Sequence, residues 1–427
     1  MAKKNSNVLA IAIMFFLFMM ISFVTGLQNP FGVIVKQQFS ATNLMSQLGN
    51  AANFIAYAFM GLPAGFILSK KGYKFTALSA VTVGFVGVCI TFLSGAVGSF
   101  AIYLLGAFIS GFSMCMLNTV VNPMLNTLGG GGKKGNQLIQ FGGSLNSLTA
   151  TICPVFVGYL IGDITKNTSI ADANPALFIA MGVFALAFII IFFSNIPEPE
   201  LEAAASNGAR AEEKTMDNIR GALSYRHFVF GAIAIFLYVG VEVGIPNFAN
   251  LYMTSPEVGI SAAVAGTIVG MYWFLMLCGR LVGGTIGGKV SSKAMMTFVG
   301  SLAVLFLLLG IFLGDSSTVK FPAITSELRF SLEAIPIAVM FFVLCGLCTS
   351  VMWGAIFNLA VEGLGKYTSI ASGLFMIMVC GGGLLPLLQG KVADMSGFLS
   401  SYWVVVIAVV YIVWFALVGS KPVKKNA

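Results

Sequence analysis

The sequence predicts an all-α polytopic membrane protein, with twelve transmembrane helices in two pseudo-symmetric six-helix bundles. Three observations predict it: a composition foreign to water, twelve apolar windows of spanning length, and motifs that recur in one order in both halves of the chain. Of the 427 residues, 58% are hydrophobic and 9% charged, against roughly 45–50% and 25% in soluble domains. No water-soluble core hides that much apolar surface while leaving so few charges for the exterior. Lipid offers the backbone no hydrogen-bond partners, so spans are helices or a closed barrel. Apolar runs of about twenty residues without strand-like alternation select helices.

The elements follow in order. Span one centres near Leu17; Lys3 and Lys4 precede it, no small-residue cleavage site follows, and it runs into Gln28-Asn29-Pro30. It reads as a retained helix, not a signal peptide. Spans two and three centre near Ile55 and Phe85, with Lys70, Lys71 and Lys74 in the turn between them. Span four centres near Ser110 and ends at Leu128-Gly129, and the glycine run before Lys133-Lys134 forms a hairpin into span five, near Leu148. Span six centres near Ala185. Pro197 to Arg226 is then the one long polar segment, with Glu198, Glu200, Glu202, Glu212, Glu213 and Asp217 among its basic residues. Residues 197–226 therefore read as a cytoplasmic linker with a short surface helix. They divide an N-terminal bundle, 1–196, from a C-terminal bundle, 227–427, whose spans centre near Leu237, Met271, Ala303, Leu344, Met376 and Ile407.

Charge sets the topology. With both termini cytoplasmic, that side receives all but Lys36, Lys166, Lys320, Arg329 and Lys391 of the 23 Lys and Arg residues. An odd span count would swap later loops across the membrane and destroy this asymmetry. The formal charge of +8 comes in twos and threes between apolar runs, so it reports orientation and no nucleic-acid partner. The seven cysteines all lie in apolar stretches and carry no redox signal.

The halves echo each other. Gly61-x3-Gly65-x4-Lys70-x3-Lys74 is answered by Gly279-x3-Gly283-x5-Lys289-x3-Lys293, and Pro154-x3-Gly158 with Asp163 by Pro386-x3-Gly390 with Asp394. Leu128-Gly129 and Leu364-Gly365 close spans four and ten. Their shared order points to a duplicated six-helix unit.

Polar side chains facing lipid cost free energy, so those inside spans face a cavity or a neighbouring helix. Gln28 and Asn29 mark span one; Asn118 and Asn122, four apart, share a face of span four, with Asn126 a turn on; Gln140 and Asn146 mark span five. Asn247, Asn250, Trp273, Trp353, Asn358 and Gln389 do the same after the linker. Amides donate and accept at once, and aromatic faces stack on C–H surfaces, a pairing suited to a neutral polyhydroxylated ligand. The competing reading for any one amide is interhelical glue.

Acidic charge within the spans is scarcer. Spans one to five contain none, and Glu242 alone lies near the middle of a span, in Tyr238-Val-Gly-Val-Glu242-Val-Gly-Ile-Pro246-Asn247. Its insertion costs about 2.5–3.5 kcal/mol at a helix centre unless the site is wet or paired. Tyr238, one turn before it, is placed to donate to the carboxyl. Two readings are open: a group that binds the coupled cation, or a carboxyl locked to a neighbouring helix. Arg280 falls at the cytoplasmic end of span eight, so no cation stands at a span centre and an anionic substrate is disfavoured.

Catalytic signals fail. Cys345-x2-Cys348 lies inside a helix without a second pair to complete a zinc site. His227, the only histidine, begins span seven, and no paired carboxylates lie within the membrane. The chain reads as neither an enzyme nor a cofactor carrier.

These residues resemble the major facilitator superfamily, and within it the sugar-porter branch of L-fucose permease and glucose/galactose transporters, over nearly the whole chain. The resemblance is carried by Asn118-Thr-Val-Val-Asn122-Pro123, Asn146-Ser-Leu-Thr-Ala-Thr-Ile-Cys-Pro154, Tyr238-Val-Gly-Val-Glu242, Ile356-Phe-Asn358-Leu-Ala-Val-Glu-Gly-Leu-Gly365 and Gly381-Gly-Gly-Leu-Leu-Pro386-Leu-Leu-Gln389-Gly390. It implies the major facilitator fold and a monomeric secondary carrier with a mid-membrane sugar site. Departures matter: Gln28-Asn29 stands where the fucose permeases imply Asn-Asp, and Asn118-Thr119 where they imply Glu-Thr. Both proton-carrying positions are thus uncharged, and span five reads Gln140-Phe-Gly-Gly143-Ser-Leu-Asn146, displacing one sugar-contacting amide.

The expectation is import of a neutral hexose by alternating access, with H+ or Na+ coupled through Glu242, in a bacterial inner membrane. Other sugars (L-fucose, mannose, N-acetylglucosamine) and a uniporter are the alternatives. A multidrug antiporter would want a greasier cavity, and a receptor would bind sugar without moving it.

Overall fold

Each apolar stretch is helical, because a backbone shielded from water can pair its N–H and C=O groups only within itself. The computed structural model describes residues 2–129, 132–161, 168–198, 215–286, 290–314, 316–325, 327, 329–364 and 367–422. Among them, 11 helices are long and apolar enough to cross a membrane, and one bent pair brings the spans to 12.

Helix α1 (Ala2–Gln38) forms span one, and the short α2 (Asn43–Ser46) turns the chain into α3 (Leu48–Val97), which holds spans two and three. These two break at Gly72, whose φ of 83° is one that glycine adopts without strain. The Glu198 carboxylate accepts from the backbone N–H groups of Tyr73 and Lys74 at 2.6 and 2.9 Å, satisfying donors that the restart of the helix exposes. Helices α4 (Phe100–Leu128), α5 (Gly132–Ile161) and α6 (Asn174–Phe193) complete the first six spans. Residues 199–214 of the expected linker and Asp163 of the repeat lie outside the described residues, but the surface helix is present as α7 (Thr215–Leu223).

Helices α8 (Arg226–Met253), α9 (Ala262–Ile286) and α10 (Ser292–Leu313) follow. Between spans nine and ten the chain forms a hairpin that hydropathy windows do not detect. Strands β1 (Thr318–Ile324) and β2 (Phe330–Pro336) pair antiparallel, Thr318 opposite Pro336 and Ile324 opposite Phe330. Span ten is not one straight helix: α11 (Ile337–Thr349) and α12 (Met352–Val361) meet at 41°. At the break the hydroxyls of Thr349 and Ser350 donate back to the carbonyls of Cys345 and Leu347, at 3.2 and 2.6 Å, a pattern that bends helices. Span eleven joins α13 (Thr368–Ile377) to α14 (Gly381–Ser396) through one tight turn, and α15 (Phe398–Trp414) forms span twelve.

Two seams join the first six spans to the last six. Span two packs on span eleven so closely that a Cβ on Gly383 would stand 2.8 Å from the Ala51 Cα. Span five packs on span eight, where a Cβ on Gly270 would stand 2.7 Å from the Thr151 carbonyl oxygen. Gly143 on α5 does not need to be glycine for close approach: a Cβ there would meet nothing nearer than Arg280 at 3.8 Å.

Polar ties close one end of the molecule. Asp394, at the end of α14, accepts from the backbone N–H groups of Asn43 and Leu44 at 2.7 and 3.0 Å. Asn247 on α8 donates to the Gln47 side-chain carbonyl at 3.0 Å, and Asn50 donates to the Gly382 carbonyl at 2.9 Å. Spans four and ten, by contrast, make no comparable packing contact among the described residues.

Candidate functional site

The interior charge of the last six spans is not Glu242 alone. Arg280, three residues before the end of the apolar span Ala262–Gly283, turns its side chain inward and pairs with Glu242 at 3.3 Å. The two side chains are 15% and 14% exposed. The same guanidinium donates to the Gly143 carbonyl at 2.8 Å and to the Ser147 hydroxyl at 2.7 Å, both on α5. Arg280 thus stands at the span end its sequence position gives, but span position alone does not show that its charge points inward. A long side chain whose Cα lies near a helix end can direct its charge either way, and here a carboxylate draws it inward. Its charge is matched by Glu242, so among the described residues the interior still presents no unpaired cation to an anionic ligand.

A layer of aromatic and hydroxyl groups lies beside the pair. Tyr238, one helical turn before Glu242 and fully buried, donates to the Thr349 carbonyl at 3.2 Å, a group taken off the helical ladder by the break in span ten. Its single hydroxyl proton thus goes to Thr349 and not, as the one-turn spacing suggests, to Glu242, although the carboxyl remains its neighbour. Tyr272 shares a hydrogen bond of 3.1 Å with the Thr349 hydroxyl. Trp353, half-buried, meets the Tyr238 ring at 6.2 Å and the Phe375 ring at 6.0 Å, both edge-on.

The first six spans supply amides. Asn118 donates to the Tyr57 hydroxyl at 2.9 Å, and Asn122 donates to the Asn118 backbone carbonyl at 3.0 Å. Asn146 donates to the Phe18 carbonyl at 2.9 Å, joining spans five and one. These bonds use the N–H side of each amide. The side-chain oxygens of Asn122 and Asn146, both half-buried, accept no hydrogen bond from another described residue. Held donors with available acceptors suit a ligand that donates hydroxyl protons.

Other predicted residues are placed differently. The side chains of Gln28, Asn29, Asn126 and Gln140 lie outside the described residues. Asn247 is 6% exposed and spends its amide N–H on Gln47 at the closed end. Asn250 is buried one turn farther along α8. Trp273 is half-buried with its ring edge-on to Tyr272 at 5.3 Å, while Asn358 is exposed on α12. Gln389 is fully buried, its amide N–H on the Ser401 hydroxyl at 3.5 Å. Ser147, Tyr57, Tyr272 and Thr349 join the constellation without a sequence signal of their own, and Arg280 joins it from the span end. Arg280 carried a readable signal, since it lies inside the Gly279-x3-Gly283 step as a lone arginine in an apolar run.

A model of the major facilitator superfamily matches residues 14–385. The chain belongs to this superfamily. A glucose/galactose transporter of Brucella abortus is 28% identical over 98% of this chain and 96% of its own. The L-fucose-proton symporter of Escherichia coli is 20% identical, over 92% and 89%. In structure the chain is similar to FucP, the E. coli fucose:proton symporter, with a TM-score of 0.69, 18% identity and coverage of 96% and 98%. A FucP structure in the outward conformation gives a TM-score of 0.67 at 19% identity. The fold expected from the resemblance is therefore the fold observed, and the protein is a multi-pass membrane transporter.

Proposed function

We propose that this member of the superfamily imports a neutral hexose, of the glucose or galactose kind, by alternating access coupled to a monovalent cation. The observation that carries the reading is the interior chemistry: a mutually neutralised Arg280–Glu242 pair, amide acceptors on spans four and five, and aromatic edges on span ten. Such a lining solvates hydroxyls and excludes net charge. The name of the B. abortus relative agrees with it. Asn118, Asn122 and Asn146 are the proposed sugar contacts from the first six spans, and Tyr238, Trp273 and Trp353 those from the last six. Gln28, Asn29, Gln140, Asn250 and Asn358 stay in the candidate set.

Residues 1–196 and 227–427 would act as two rocking units about residues 197–226. Under the positive-inside rule both termini are cytoplasmic, and the end tied by Asp394, Asn247 and Asn50 then faces outward. The structure is thus read as closed to the outside. A bacterial inner membrane, a monomeric state and the absence of any cofactor besides H+ or Na+ complete the proposal. The test is uptake of labelled hexoses and N-acetylhexosamines into proteoliposomes under imposed proton or sodium gradients. Accumulation of a hexose supports it; transport of lipophilic cations with no sugar uptake refutes it, as does sugar binding without uptake.

A further inference from the structure

Given a carrier of the kind proposed above, we infer that Arg280 is a positioning residue that transmits the occupancy of Glu242 to span five. Two amino groups of one guanidinium hold two different parts of the molecule. One reaches Glu242 on α8 at 3.3 Å; the other holds the Gly143 carbonyl at 2.8 Å and the Ser147 hydroxyl at 2.7 Å. Gly143 and Ser147 are one turn apart on α5, so the fork closes over a single turn of a helix from the first six spans.

The distances rank the contacts. Charge-assisted N–H···O bonds settle at about 2.7–2.9 Å. The two contacts to α5 reach that range, and the contact to the carboxylate at 3.3 Å does not. The guanidinium is therefore held most tightly by span five, while Glu242 supplies the opposite charge that keeps it inside. Among the described residues, the other ionisable groups facing Glu242 are Tyr238 on its own helix and Tyr272 on α9, and neither is a cation.

A proton or a sodium ion bound to Glu242 cancels the charge that retains Arg280. A guanidinium left alone in a low-dielectric interior is strongly disfavoured. Arg280 has an exit, since its Cα is three residues from the end of the apolar span and its stem is long enough to carry the charge to the surface. Its departure removes both contacts to Gly143 and Ser147 and unfastens span eight from span five. Cation binding at Glu242 thereby loosens one of the two seams between the halves. Sugar recognition plays no part in this step.

The test needs no sugar. Hydrogen–deuterium exchange is followed for the α5 segment from Gly143 to Thr151 in the purified full chain, at pH 5 and pH 8, with and without sodium chloride. Relative to the intrinsic rate at each pH, exchange of that segment is expected to quicken about tenfold when the effective cation is supplied, the consequence of losing one strong hydrogen-bonded contact. Response to acid alone names the proton, and response to sodium alone at pH 8 names sodium. Glu242→Gln is expected to exchange fast under all conditions, and Arg280→Lys, which keeps the charge without the fork, to lose the cation response. A segment that ignores both cations in the wild type, or a Glu242→Gln protein that behaves like it, overturns the inference. A second readout uses sugar counterflow: Glu242→Gln/Arg280→Gln should regain the counterflow that Arg280→Gln loses, because neutralising both leaves no stranded charge. Absence of rescue in a folded double variant refutes action through Glu242. Failure of every sugar to be transported would instead refute the substrate reading and leave the exchange result standing.

Discussion

Replacing Asp394 by alanine should open the closed end of the molecule. Its carboxylate accepts two backbone hydrogen bonds, at 2.7 Å from Asn43 and 3.0 Å from Leu44, across the junction between the last six and the first six spans. A hydrogen bond to a charged group contributes about 1.5–3 kcal/mol. The site is exposed, so solvent and salt screen it, and about 1 kcal/mol for each bond is the defensible figure. Losing both amounts to about 2 kcal/mol, which moves a two-state equilibrium by roughly thirtyfold. The remaining ties, Asn247 to Gln47 and Asn50 to the Gly382 carbonyl, still favour closure. The variant should thus become a mixture and not a fully open protein. Spin labels on cysteines at Val97 and Glu257, exposed positions on the first and last six spans, would read the populations by pulsed dipolar distances once the native cysteines are replaced. A second, longer distance should gain weight in Asp394→Ala and less so in Asp394→Asn, which keeps an acceptor. Identical distributions in wild type and Asp394→Ala would show that the carboxylate merely decorates a closure set by packing.

Three further outcomes are expected. Asn118→Ala and Asn122→Ala should each raise the apparent KM for sugar by about tenfold, the value of one or two ligand hydrogen bonds, in correctly inserted protein; wild-type affinity in both removes them from the site. Glu242→Gln should abolish concentrative uptake while counterflow persists, and unchanged accumulation would assign the carboxyl to structure alone. Gly383→Leu should lower the melting temperature in detergent, because its Cβ would stand 2.8 Å from the Ala51 Cα and overpacking costs about 1–3 kcal/mol; an unshifted melting curve would contradict the close seam between spans two and eleven.

Helices were readable because hydropathy is a local property. Every span centre expected from composition, from Leu17 to Ile407, falls inside a helix of the structure. The hairpin Thr318–Pro336 escaped because its strands are shorter than a hydropathy window, although the alternation of Phe330, Leu332 and Ala334 with Ser331, Glu333 and Ile335 marks one face. The bend in span ten escaped because Thr349 and Ser350 are also compatible with a straight helix. Only the donor from Tyr238 and the return of both hydroxyls to preceding carbonyls make the broken form visible.

The candidate site divides in the same way. That Asn118 and Asn122 share a face, and that Tyr238 lies against Glu242, follow from helical spacing and are visible in the residues. That Asn247 serves the closed end, or that Arg280 turns inward, depends on partners 200 and 38 residues away in sequence. By itself the sequence determined the lipid solvent, the number of spans and the scarcity of interior charge, because each is a sum over neighbouring residues. Tertiary structure alone decided which polar groups find one another. A long side chain near a helix end has several partners within reach, and only the packing of distant helices selects one.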